Sequence, residues 1–246
     1  IKMRKTKYIS FSLWGNLPIY TIGAVKNADL LPAIYPDWKM IVYHDEAVPV
    51  SILGELNSRN VKLVLVKDKA IHPSFWRFYA ADLEDCERVV FRDTDSRIST
   101  REALAVGEWI EEDNMLHVMR DHPFHHIPFG ASKLGILAGM WGIKGGSIQI
   151  SKLIDDFISI QTEQEYGIDQ SFLESIYEMF SDTKTVHDEF FDGRKFPAER
   201  EEYRFIGERI DENELPLGDD WIHIMNFNKP IQRRGLFARV RSFFNK

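Results

Sequence analysis

Cysteine is almost absent. Cys86 is the single one in 246 residues, which excludes an internal disulfide. It sits between Asp85 and Glu87, with no cysteine or histidine at ligand spacing, and this points to a reduced, cytoplasmic setting rather than a metal knuckle. No apolar run approaches the roughly 20 residues that a membrane-spanning helix needs, and no apolar segment precedes a small-residue cleavage site, so neither secretion nor membrane spanning is expected. Ile1 and Lys2 ahead of Met3 read as a cloning junction or an altered start. Positive charge is in deficit: a net charge of -7 and the lack of a long central basic stripe argue against nucleic acid as a partner. The G-x-x-x-x-G-K-[ST] loop of P-loop nucleotide enzymes is missing, as are internal repeats and low-complexity blocks.

Apolar residues make up 44% of the chain, enough for the core of one sizeable α/β domain, read here as residues 1–246. Residues 229–246 differ from the rest. They carry six Lys or Arg and no acidic residue, interleaved with Leu236, Phe237, Val240, Phe243 and Phe244. Such a basic amphipathic tail suits peripheral contact with an anionic membrane face, and equally a helix packed on its own domain.

Strand and helix patterns alternate. Residues 7–13, 39–43, 61–66, 88–92 and 116–119 read as strands, and residues 20–31, 48–58, 75–83, 101–112, 147–162 and 169–179 as helices, with Pro32, Pro36 and Asp37 ending the first. A loop rich in His, Pro and Gly is expected from Arg120 to Gly146, and an irregular stretch after Thr185. This alternation predicts βαβ units and a mainly parallel sheet flanked by helices, with chemistry on the loops beyond the carboxyl ends of strands.

One such end is distinctive. The run RVVFRDTDSR takes an apolar strand straight into Asp93 and Asp95. Carboxylates fixed there suit a hard divalent cation that keeps open positions for the oxygens of a diphosphate; two acids solvating a loop is the plain alternative. Arg77, on the preceding helical segment, suits a bidentate phosphate clamp, a brace for the aspartates or a surface ion pair.

The order of motifs resembles the GT-A class of glycosyltransferases, a Rossmann-like nucleotide-diphospho-sugar transferase fold, in families arranged like glycogenin and the bacterial lipopolysaccharide galactosyltransferases. Trp76-Arg77-Phe78-Tyr79 precedes Asp93-Thr94-Asp95. A small-residue turn at Ala138-Gly139-Met140-Trp141-Gly142 follows, and then Tyr166-Gly167-Ile168-Asp169-Gln170 opens a helix. The S-F-S-L-W-G opening and Y-P-D-W before the second strand are similar to bacterial capsule or lipopolysaccharide transferases. The chain departs from the pattern at Arg92, where an apolar residue is usual, and in lacking H-x-G-x-x-K-P-W.

The resemblance implies a transferase that moves a sugar from a nucleotide-sugar donor, a UDP-sugar, to a surface glycan or glycolipid, with Mn2+ or Mg2+ as cofactor, in the cytoplasm or at the inner face of the membrane. Asp93 and Asp95 would hold the metal, with Asp95 the more direct ligand and Asp93 reaching the ribose, and His187 or His223 would complete the set. Asp169 and Gln170 would face the sugar in a retaining reaction; Asp169 as a simple helix cap is the alternative. Gly139 would let backbone approach the donor, and Trp141 offers a ring to sugar or to the core. Ser12, Trp14, Tyr43 and Asp45 end the first two strands and would line the base, or pack as ordinary loops. The cluster His122, His125, His126 fits acceptor contacts better than zinc, because cysteines are missing.

Overall fold

The structure, a computed structural model, describes residues 5–126, 135–164 and 167–227. Tyr166 and the tail 229–246 lie outside them. The strands are β1 (Thr6–Leu13), β2 (Trp38–His44), β3 (Lys62–Leu65), β4 (Cys86–Arg92), β5 (Leu116–Arg120), β6 (Met140–Lys144) and β7 (Lys184–Asp188). They form one seven-stranded sheet in the order β3-β2-β1-β4-β6-β5-β7. Pairing is parallel throughout except along β6, which runs antiparallel to β4 and β5.

The reversal at β6 positions the site. An antiparallel strand begins where its neighbour ends, so Met140 pairs with Arg92 and Gly139 stands beside Asp93. The segment Ala138 to Gly142, expected as a turn, ends in three residues of strand. Gly142 disguised it, because glycine weakens a strand in isolation. A Cβ there would lie 2.8 Å from the Val89 carbonyl oxygen and 3.1 Å from the Trp109 ring, so only glycine lets this central strand fit. The five-residue β7, Lys184–Asp188, replaces the start of the irregular stretch expected after Thr185.

Helices α1 (Pro18–Ile34), α2 (Val50–Ser58), α3 (Thr100–Glu112), α4 (Ile150–Ser159) and α5 (Ile168–Met179) cover the sheet, and a short α6 (Trp221–Phe227) packs by the turn Pro123–His126. On one face, Phe75, Phe78, Phe91, Trp141 and Phe172 interlock, with Phe91 and Trp141 ring centroids 4.4 Å apart. Trp141 is fully buried there and unavailable to a sugar. On the other face Ile9, Phe11, Val42, Val90 and Trp109 pack beneath α1 and α3. α1 takes Pro18 at its first position, where the missing N–H has no helical partner to lose, and runs past Pro32 to Ile34.

Two further local departures shape the site. The segment Pro73–Asp82, expected as an α-helix, is a 3-10 helix. Ser12 Oγ accepts the Arg77 N–H at 2.9 Å and Ser10 Oγ donates to the Arg77 carbonyl at 2.7 Å, so β1 takes both backbone groups out of an α ladder. The chain after Asp188 folds back over the carboxyl edge of the sheet. Fully buried Asp121 anchors it, accepting from Arg101 Nη2 at 2.9 Å, Arg200 Nη2 at 2.6 Å and the Ile206 N–H at 2.9 Å. Among the described residues, no helix is long and apolar enough to cross a membrane.

Candidate functional site

A cleft of about 600 Å³ opens at the carboxyl edge of the sheet. Asp93 and Asp95 project into it from the end of β4, Gly139 from the start of β6, Asp169 and Gln170 from the start of α5, and Trp14 from the end of β1. His122, His125, Phe124, Phe205 and Asp220 line the same cavity.

Each acidic residue is held by its own element. The Asp93–Ser96 loop is pressed by α1: a Cβ on Gly23 would lie 2.0 Å from the Thr94 carbonyl oxygen, and Asn27 bonds the Ser96 carbonyl at 2.8 Å and the Ile98 N–H at 2.9 Å. Arg92 points inward, fully buried, ion-paired with buried Glu102 at 3.2 Å and bonded to the Gly139 carbonyl at 2.6 Å. This departure from an apolar residue thus joins the β4 loop to the β6 turn. A Cβ on Gly139 would fall 1.8 Å from Asp93 Oδ2. A side chain at 139 would push the Asp93 carboxylate out of this position.

Arg77 is the hub, and it braces rather than lies on the surface. Its Nη1 pairs with Asp93 and its Nη2 with Asp169 Oδ2 at 3.1 Å. Burial alone would lower the guanidinium's pKa, yet the carboxylates of Asp93 and Asp169 outweigh it and hold it above its ordinary value. Asp169 also accepts the Gln170 N–H at 3.1 Å. It is therefore both a first-turn acceptor and a partner of the hub, so the helix-cap reading accounts for only part of its contacts. Gln170 spends its amide on backbone, donating to the Ile136 carbonyl and accepting the Ala138 N–H at 3.0 Å, and so fixes the approach to Gly139.

Asp95 accepts from Arg209 Nε at 3.2 Å. Burial, and then the charge of Asp93, push its carboxyl above the ordinary value against the pull of Arg209. Two carboxylates facing one cleft with surplus negative charge fit a hard cation that keeps waters and takes its remaining oxygens from phosphate. Among the described residues there is no group of three His, Cys, Asp or Glu that could hold a metal. His187 does not join the aspartates. Its ring lies on the α3 side of the sheet, bonded to His117 at 2.9 Å and Glu108 at 3.0 Å, so both nitrogens are taken. His223 is exposed on α6, its ring 4.3 Å from Phe124, and does not line the cleft.

The base-site residues divide. Trp14 lines the cleft, stacks on Tyr20 at 6.4 Å and meets His72 edge-on at 6.1 Å, whereas Ser12 is buried beside a small adjoining pocket with its Oγ on the Arg77 N–H and does not line the cleft. Tyr43 is buried against Tyr79 and faces the core instead. Asp45 ties the ends of β1 and β2, accepting the Gly15 N–H at 3.2 Å and the Ala47 N–H at 3.1 Å, outside the cleft lining. His122 and His125 face the cavity as neutral rings, their pKa values lowered by burial. Tyr20, His72, Phe205, Gly207 and Arg209 line the cleft without having been singled out in sequence. Tyr20 and His72 flank recognised landmarks, whereas the other three come from an irregular stretch that carries no periodic signal.

No protein-family model matches the chain, and no curated protein matches its sequence. Among solved structures, the glycosyltransferase GlyE of Streptococcus pneumoniae TIGR4 aligns with a TM-score of 0.51 and 20% identity over 77% of this chain and 47% of its own. The fold is that of the GT-A nucleotide-sugar transferases. This chain spans less than half of GlyE. An active-site mutant of LgtC aligns at a TM-score of 0.48 and 15% identity, covering 76% of this chain and 74% of that one. A 4-diphosphocytidyl-2C-methyl-D-erythritol synthase from Anaerococcus prevotii DSM 20548 aligns at 0.49 and 10%, covering 79% and 94%. At such identities the likeness is one of fold, and the reaction must be argued from the site.

Proposed function

We propose that this chain is a metal-dependent glycosyltransferase that moves a sugar from a nucleotide-sugar donor, a UDP-sugar, to a surface glycan or glycolipid acceptor with retention of configuration. The observation that carries this is the convergence of Asp93 and Asp95 with Gly139, Asp169 and Gln170 on one cleft. In this reading Asp93 and Asp95 hold Mn2+ or Mg2+, which when bound takes up charge developing on the diphosphate leaving group. Metal coordination by only two side chains is ordinary for such ions when substrate phosphates supply the rest.

The remaining roles follow from position. Trp14 and Tyr20 offer stacked rings at the end of β1 for the base. Arg77 fixes the spacing between the phosphate side of the cleft and α5 by bonding both Asp93 and Asp169. The bare backbone of Gly139 admits the donor sugar beside Asp93, and Asp169 and Gln170 border the same place, one paired with Arg77 and the other bonded to the Ala138 N–H. The acceptor then enters along His122, His125 and Phe205. Retention places acceptor and departing phosphate on the same face, so the phosphate takes the acceptor proton and no protein base is required.

Incubating the protein with labelled UDP-sugars and Mn2+ tests the reading. Slow hydrolysis that releases UDP is expected. Binding without release would indicate a non-catalytic relative, and pyrophosphate chemistry a nucleotidyltransferase. For Gln170→Ala, donor affinity should stay within about threefold while transfer falls about 100-fold, as positioning defects of an ångström do. Full activity would show that Gln170 only braces backbone.

A further inference from the structure

We propose that Arg209 is a resident counter-ion of Asp95, displaced when the divalent cation binds and transferred to the diphosphate of the donor; this rests on the metal-site reading above. The two arginines at the acidic pair differ in kind. The Arg77 side chain is 6% exposed and held by two carboxylates at once, so swinging it out would break both pairs. Arg209 is 54% exposed, lies in the irregular segment that crosses the cleft, and meets Asp95 through Nε. Asp95 is only 14% exposed, but the Arg209 end of the pair stands in water, so its guanidinium can be exchanged where that of the buried hub cannot.

The backbone around Arg209 is nevertheless fixed. The Ile210 N–H donates to the Asp95 carbonyl at 2.7 Å, and the Leu217 N–H donates to the Arg209 carbonyl at 2.8 Å. The segment therefore stays in register with the β4 loop while the guanidinium is free to swing. Arg209 and a divalent cation compete for one carboxylate, Asp95, whose other near neighbour in charge is Asp93. Once displaced, a guanidinium rooted beside the cation and lining the same cleft is within a side chain's swing of any diphosphate held there. Its planar fork suits that anion. Arg209 is thus a positioning residue that keeps the acidic pair compensated before metal arrives and couples metal binding to donor binding.

The test is a titration of the full chain with Mn2+, followed by electron paramagnetic resonance, in wild type and Arg209→Gln. Without nucleotide, the variant should bind Mn2+ about fivefold more tightly, the effect of removing one half-exposed competitor. At saturating Mn2+ it should bind UDP about tenfold more weakly, the effect of losing one charged contact to phosphate. Unchanged or weakened Mn2+ affinity, or unchanged UDP affinity, would overturn the proposal. Metal-free melting should fall only slightly, because Asp95 loses its counter-ion while the backbone bonds that anchor the segment remain. The outcomes separate cleanly: wild type that binds no Mn2+ defeats the metal-site reading itself, whereas wild-type binding with an indifferent variant defeats only the role of Arg209.

Discussion

Replacing Asp95 with alanine is expected to abolish Mn2+-dependent binding of a nucleoside diphosphate while leaving the metal-free melting temperature unchanged or slightly raised. The two halves of this result have separate causes. Metal binding depends on a carboxylate that the β4 loop holds 14% exposed in the cleft, and alanine offers no oxygen. Stability follows the proton linkage. Burial and Asp93 raise the folded-state pKa of Asp95, so the folded protein binds that proton more tightly than the unfolded chain. The contribution favours folding below the ordinary aspartate pKa and is lost as pH rises through the raised value. At neutral pH the charged group therefore costs stability, and its removal does not. The same sign applies to the metal: its affinity should fall, on acidification, at a higher pH than an ordinary aspartate would dictate. Calorimetric titration with UDP and Mn2+, beside a thermal melt, checks both halves. Retained affinity, or a melt lowered by many degrees, would contradict the account.

Asp121→Ala should produce the largest loss of stability, about 3–5 kcal/mol, the range found when one partner of a buried ion pair is removed. Asp121 is fully buried and compensates Arg101 and Arg200 together, while its Oδ2 also accepts the Ile206 N–H. Alanine would leave that N–H unmet and two guanidinium groups short of counter-charge, with Glu189 remaining for Arg101. Because Ile206 leads into Gly207 and Arg209, the loss should also loosen one wall of the cleft and weaken donor binding. Urea unfolding measures the first effect and UDP titration the second. A loss below about 1 kcal/mol would mean that the segment is held by its other contacts, such as Phe196 against Arg101.

Much of this arrangement was legible from sequence because the parallel half of the sheet obeys local rules. β1, β2 and β4 are apolar runs of the right length, and their carboxyl ends must share an edge, so Asp93 and Asp95 could be placed there before any coordinates. What escaped depends on contacts distant in sequence. β6 hides behind Gly142, whose presence makes sense only against Val89 and Trp109. Arg92 stands where an apolar residue is expected because its partner, Glu102, comes from α3. His187 had the right chemistry for a ligand, but the pleat of β7 turns its ring toward Glu108 and away from the aspartates. Tyr43 lies one residue before the end of β2 yet faces the core, for the same reason of alternation. Arg209 and Phe205 come from a stretch without periodicity, where nothing in the local pattern says which side chains turn inward.

The central claim is that the carboxyl end of β4 grips a divalent cation together with a diphosphate. Its most direct measurement is the affinity of wild-type protein for UDP with and without Mn2+, at fixed ionic strength. The account predicts that Mn2+ tightens UDP binding at least about tenfold, as expected when the cation bridges carboxylate and phosphate. Equal affinity under the two conditions would contradict it.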